Sequence, residues 1–180
     1  MASDRLSREQ WLDHGLQNLA AVGFTSLKAD KLAKSLGVSR GSFYWHFKNL
    51  ADFHAAVLAR WRTLATSGVI VQLEGAGMSA EQKLRNLLLV AATGDLSLEQ
   101  AVRAWAFSDP AVKQTTAEID LERLGYVQQL LEEMGIEPAS ARIRAHVVYA
   151  SYLGQIVLNK EVTADQQHQI IEQLMRLAAP

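Results

Sequence analysis

The chain has 180 residues, a formal net charge of −1 and no cysteine. That length allows one or two domains with a hydrophobic core that needs no staples, and the missing cysteine excludes disulfides, thiolate metal sites and a cysteine nucleophile. Hydrophobic residues at 49% and charged residues at 21% exclude a disordered chain; no stretch approaches the ~20 apolar residues of a membrane span, and Met1-Ala-Ser-Asp-Arg5 lacks the apolar segment of a signal peptide, so a cytoplasmic protein is expected.

Apolar residues recur at steps of three and four, and the only prolines stand at 110, 138 and 180. This pattern predicts an all-α fold of about nine helices. The first helix covers 7–22, with Leu12, Leu16 and Leu19 inward and Gly23 ending it. Short helices follow over 28–36 and 40–46. A longer one covers 50–66, with Leu50, Phe53, Val57, Trp61 and Leu64 on one stripe. Gly68-Val-Ile-Val-Gln72 has strand-like residues but no partner strand, and is read as a fraying tail of that helix. Glu74-Gly-Ala-Gly-Met78 is the best candidate for an inter-domain linker. Helices over 80–92 and 98–107 come next. Asp109-Pro110 opens another, with proline in the first turn where its missing N–H costs nothing; it ends near Met134-Gly135. The last two cover 138–159 and 164–178. Ser7/Gln10, Ser79/Gln82, Ser97/Gln100 and Thr163/Gln166 each form a capping-box pattern at a predicted start. The division expected is a helix-turn-helix domain over 1–50 and a helical ligand-binding and dimerisation domain over 51–180, with the helix from 50 to 66 as connector.

The charges divide unevenly. Residues 1–65 hold nine bases and five acids, a balance of +4, and the remainder holds nine bases and fourteen acids, a balance of −5. A basic first third suits a polyanionic partner. Within it, Lys28-Ala-Asp-Lys-Leu-Ala33-Lys-Ser-Leu-Gly37-Val-Ser-Arg40-Gly-Ser-Phe-Tyr44-Trp-His-Phe47 reads as helix, tight turn, helix. Ala33 lets the helices cross closely, Gly37 suits the left-handed end of the first, and Ser39 is placed to cap the second. Val38 and Phe43 have the spacing of a hydrophobic staple. Phe43 and Phe47 face inward, which leaves Arg40, Gly41, Ser42, Tyr44 and Trp45 toward the front and top. In such motifs the start of the second helix enters the major groove. Arg40 suits guanine, Ser42 a hydroxyl contact and Trp45 a thymine methyl. Tyr44, His46 and Lys48 suit phosphate or sugar. The bland alternative is a packed helical hairpin with a solvated basic face.

Ala33-x-x-x-Gly37-Val-Ser followed by Tyr44-x-His-Phe47, with a helix before and a long amphipathic helix after, resembles the TetR family of transcriptional regulators. The resemblance covers about residues 7–60; the rest agrees in size and helix count. It implies a homodimer, a C-terminal effector pocket, and repression of a near-palindromic double-stranded DNA operator relieved by a small molecule. It maps Arg40, Ser42, Tyr44, Trp45 and His46 onto operator-contacting positions. Two departures stand out. Lys28 sits where the family often caps the first helix of the motif with Thr or Ser, and Leu50 sits where a phosphate-contacting Lys is common. Lys28 and Lys48 are candidate replacements, so the DNA-contact set is Lys28, Ser39, Arg40, Gly41, Ser42, Tyr44, Trp45, His46 and Lys48. The departures also motivate a rival reading, a helical ligand-binding or protein-adaptor module without operator binding.

Gly37-Val-Ser-Arg-Gly41 matches the G-x-S-x-G nucleophile elbow, but that elbow needs a preceding strand and here a helix precedes it. The five histidines form no metal-ligand spacing. Neither an enzyme nor a cofactor is expected. In the second domain, Trp105, Phe107, Tyr126, Tyr149 and Tyr152, with Trp61 reaching in, are candidates to line an apolar effector pocket. Arg103, His146, Gln155 and Asn159 are its candidate polar groups. Residues 147–158 are apolar nearly all round, so that helix must bury more than one face. Val147, Ala150, Ser151, Gly154 and Val157, with Ile170, Leu174 and Leu177 of the last helix, are expected to form an isologous four-helix interface with a second copy.

Overall fold

The computed structural model describes residues 6–158 and 162–179; the signal-peptide reading of residues 1–5 and the candidate Asn159 fall outside them. The described residues are helical, with no strand among them. In chain order they form α1 (Arg8–Val22), a 3-10 turn (Phe24–Ser26), α2 (Ala29–Ser35), α3 (Arg40–His46), α4 (Leu50–Arg62), a π-turn (Thr63–Ser67), α5 (Gly68–Gly75), α6 (Ala80–Thr93), α7 (Ser97–Ala106), α8 (Pro110–Glu133), α9 (Pro138–Leu158) and α10 (Ala164–Leu177). With α4, the π-turn and α5 counted as one unbroken run of helical residues, the number among the described residues is the nine expected from the sequence.

The ends follow local chemistry. Capping boxes are formed by Ser7 with Gln10, Ser79 with Gln82 and Thr163 with Gln166. Asp109 Oδ1 accepts from the amides of Ala111 and Val112 just ahead of the Pro110 turn. Glu137, a cap the sequence reading missed, accepts from Ala139 and Ser140. Those bonds hold its carboxyl below the usual range.

Packing divides the chain into two units, 1–64 with 97–116, and 65–96 with 117–180. In the first unit α1 packs on α4 and α7, and α2 packs on α3. Its centre is aromatic: Phe43 lies 5.5 Å from Trp11, 5.2 Å from Phe47 and 5.2 Å from Phe53, ring centre to ring centre. All four are fully buried. Arg60 reaches back from α4 to Asp13 of α1, Nη2 to Oδ1 at 3.0 Å. In the second unit α6 packs against α5 and α10. Leu84, Val127, Leu130, Leu131, Ala141 and Ala145 lie in its core.

Three features correct the sequence reading. First, the segment after α4 does not fray. Thr63–Ser67 widens into a π-turn and Gly68–Gly75 continues as ordered helix. Thr63, Thr66, Ser67 and Gly68 are weak helix formers, and Thr63 Oγ1 donates to the carbonyl of Ala59, 3.1 Å away. The buried stripe Phe53, Val57, Trp61 stops at the π-turn, and Leu64 inside it is exposed. Secondly, the turn after Gly75 lies inside the second unit, so it is no linker; the boundary falls in the π-turn, between Leu64 and Ala65. Thirdly, Ser39 occupies the cap position of α3, but its side chain makes no capping bond.

Candidate nucleic-acid interface

The turn between α2 and α3 has a backbone reason for its glycine. Gly37 sits at φ +67°, its amide donates to Lys34, and the Val38 amide donates to Ala33. This pair of bonds is a Schellman cap, which needs a left-handed residue at that point. The turn delivers Ser39, whose extended backbone starts α3. Phe43 and Phe47 are then driven into the aromatic core, so the other faces of α3 meet solvent. Arg40, Gly41, Tyr44 and Trp45 are exposed, Trp45 at 72%, while Ser42 and His46 are half-buried. Lys28, Lys31, Lys34 and Lys48 are exposed around them. Lys28 is the cap residue of α2 and, as its departure from the family pattern predicts, gives no side-chain cap bond. The Lys48 amide donates to Asp52 Oδ2, and Asn49 Oδ1 caps α4 by accepting from the Asp52 amide.

Arg40 is held from two helices. Its Nε lies 3.2 Å from Asp30 Oδ1 on α2, and its Nη2 donates to the Tyr44 hydroxyl at 3.0 Å. Its guanidinium carbon stands 5.4 Å from the Tyr44 ring centre. The Tyr44 hydrogen bond, and after it the charge of Asp30, raise the Arg40 pKa further above its already high ordinary value. Asp30 was not singled out from the sequence; ten positions separate it from Arg40, and only the turn brings the two together. At the back of the motif Arg8 packs over the Phe47 ring at 5.2 Å.

Bacterial regulatory proteins of the tetR family share the sequence pattern found at residues 12–57, which spans this helix-turn-helix. Over these residues the chain is similar to the tetR family. The tetracycline repressor protein class D of Escherichia coli is 37% identical over 86 residues, 46% of this chain and 36% of that protein. The matches to curated relatives span about a quarter to two fifths of those relatives' length. Solved structures match more widely. A TetR transcriptional regulator from Legionella pneumophila superposes with a TM-score of 0.73 at 16% identity, over 94% of this chain and 98% of that one. The regulator FadR from Bacillus subtilis, in complex with stearoyl-CoA, gives 0.68 at 19% identity, over 96% and 98%. At such identities the tetR fold is what is shared.

The candidates for an effector site separate. Trp61, Arg103, Trp105 and Phe107 belong to the first packing unit. Trp105 stacks on Phe24 at 4.6 Å and meets His54 edge-on; Arg103 pairs with buried Glu99 one turn earlier on α7; Phe107 is 94% exposed. In the second unit Tyr149 donates to Asp120 at 2.6 Å and lies 5.9 Å from the Tyr152 ring. Arg123 stands over Tyr152, and its Nε and Nη2 donate to Thr66 Oγ1 and the Ala65 carbonyl of the π-turn. Burial and the bond to Asp120 raise the Tyr149 pKa. Tyr126 donates instead to Glu74, which also pairs with Lys83. His146 is exposed, and its ring bonds the carbonyl of Arg142 on its own helix. Tyr152 and Gln155 meet at a small cavity of about 20 Å³, also lined by Leu88, Val148, Ile170 and Leu174. That is room for about one water.

The residues expected to face a second copy have two environments. Val147, Ala150 and Val157 are exposed, Ser151 and Gly154 are half-buried, and all lie on α9. Ile143 and Leu158 extend the same exposed surface and were missed. On α10, Ile170 and Leu174 are half-buried and Leu177 is exposed. Among the described residues no helix is long and apolar enough to cross a membrane.

Proposed function

We propose that this chain is a cytoplasmic, homodimeric, sequence-specific DNA-binding regulator, a repressor whose hold on a near-palindromic operator is modulated by a small-molecule effector. The observation that carries this is the face of α3: Arg40, Tyr44 and Trp45 project from the second helix of the turn while Phe43 and Phe47 anchor it. Two such helices, one per protomer, enter successive major grooves about one helical turn or slightly more apart. Arg40, Ser42 and Trp45 read bases; Lys28, Ser39, Tyr44, His46 and Lys48 hold phosphate or sugar, and Gly41 lets the backbone approach. Ser39, uncapped, keeps its hydroxyl for that use.

Effector binding belongs to the second unit in this reading, with Tyr149, Tyr152 and Gln155 as its first candidates. FadR, similar in fold, is known in complex with stearoyl-CoA, a precedent for a protein of this fold that binds a ligand. The chain passes between its two units three times, inside the π-turn, between α6 and α7, and inside α8. A ligand that favours one arrangement changes operator affinity only by its differential affinity for the two states. No enzymatic step enters this reading.

Selection of bound fragments from genomic DNA, followed by titration of the enriched sequence, tests it. Arg40→Ala is expected to lose about 1–3 kcal/mol and relax preference at one base pair, whereas Lys48→Ala weakens all sequences alike. Affinity falls steeply with salt. Absence of any enriched sequence from the unaltered protein would overturn the reading in favour of a ligand-binding or adaptor module.

A further inference from the structure

The geometry points to Asp30 as the residue that positions Arg40 and so sets the base preference of the interface; this rests on the DNA-binding reading above. Asp30 is the second residue of α2 and Arg40 the first of α3. Their side chains are 70% and 61% exposed. An ion pair so open to water adds little to folding. Its effect is geometric.

Arginine carries five N–H donors in a rigid fork. Here Nε faces the Asp30 carboxylate and one Nη2 hydrogen goes to the Tyr44 hydroxyl. The donors left over lie at the terminal edge, on Nη1 and Nη2. That edge makes the two-pronged contact with O6 and N7 of guanine. A guanidinium already fixed by a carboxylate on one side and a phenol on the other loses less freedom when it docks. It also cannot swing its Nε edge to a phosphate without leaving Asp30. The carboxylate meanwhile repels every phosphate equally, so it weakens binding to DNA of any sequence. Asp30 therefore trades general affinity for discrimination.

A rival role exists for the same residue. An acid in the first turn of α2 faces the positive end of the helix dipole. That role alone predicts lower stability in Asp30→Asn with base preference intact. The experiment measures binding of the full chain to the selected operator, to operators with each base at the pair where Arg40→Ala loses preference, and to random-sequence duplex, with a melting curve for each variant. Asp30→Asn is expected to bind random duplex more tightly and to lose about tenfold of its discrimination at that pair. Asp30→Glu restores part of the discrimination. In the Arg40→Ala background, Asp30→Asn leaves discrimination unchanged while still raising affinity for random duplex. Full base preference in Asp30→Asn, with or without a lower melting temperature, overturns the proposal while leaving the DNA-binding reading intact. Failure of the unaltered protein to select any sequence overturns both.

Discussion

A methyl group on Gly15 would stand 2.8 Å from Phe53 Cζ and 3.2 Å from Val57 Cγ2. Two effects oppose each other in Gly15→Ala. Alanine gains about 0.5–1 kcal/mol within a helix. Overpacking a close-packed site costs about 1–3 kcal/mol. Phe53 cannot give way, because it is fully buried between Phe43 and Phe47. The clash wins, and Gly15→Ala is expected to lower stability by about 1–2 kcal/mol, read as an earlier midpoint in urea at unchanged slope. A later midpoint would show that α1 and α4 separate freely. Nothing in the sequence marks this glycine, because its reason lies on another helix. Arg40 and Trp45, by contrast, were legible: once Phe43 and Phe47 are taken as inward, helical spacing leaves these two outward. The Asp30 contact was not, since it depends on how the turn aims two side chains.

At the scale of elements, the π-turn is the least legible feature. Its sequence, Thr63-Leu-Ala-Thr66-Ser67, shows only weak helix formers, and the Val-Ile-Val run after it favours strands. What makes this segment an ordered helix is Arg123, 57 positions beyond Thr66. A π-turn loosens the regular ladder, and Arg123 donates to the Ala65 carbonyl and the buried Thr66 hydroxyl where it does so. Arg123→Met keeps the apolar stem and removes both donors. It is expected to cost about 1–3 kcal/mol, the penalty for leaving buried acceptors unpaired. Hydrogen exchange is expected to quicken at amides 63–68 and to stay unchanged in α2 and α3. Unchanged exchange at 63–68 would mean the turn holds without the arginine. The caps at Ser7, Ser79 and Thr163 were readable because a hydroxyl and a glutamine three residues apart satisfy each other locally, whereas the Arg123 bond is a property of the fold.

For the whole molecule, the net charge of −1 conceals a basic first third and an acidic remainder, and the remainder also carries an apolar surface. On α9, Ile143, Val147, Ala150, Gly154 and Val157 follow one another at steps of four, three, four and three. That is the spacing of a seam between two helices. Within the chain Gly154 has no evident purpose: apart from its two chain neighbours and the backbone of its own helix, no atom of the described residues lies within 4 Å of where its Cβ would stand. A glycine inside a helix costs about 1 kcal/mol relative to alanine, a cost that close approach of a second copy would account for on the dimeric reading proposed above. Ile143, Val157 and Leu158, each more than 60% exposed, explain themselves the same way. Val157→Glu tests this, because a side chain 80% exposed in the single chain is replaced without disturbing its core. In a two-fold dimer each copy then buries a charged glutamate against the apolar seam of the other. Light scattering is expected to give the dimer mass for the unaltered protein and the monomer mass for Val157→Glu at micromolar concentration, with equal helicity. Operator affinity then falls by about a hundredfold or more, because the second half-site is no longer tethered to the first. A variant that stays dimeric would move the interface off this face of α9, and one that turns monomeric while keeping full operator affinity would show that a single head suffices for recognition.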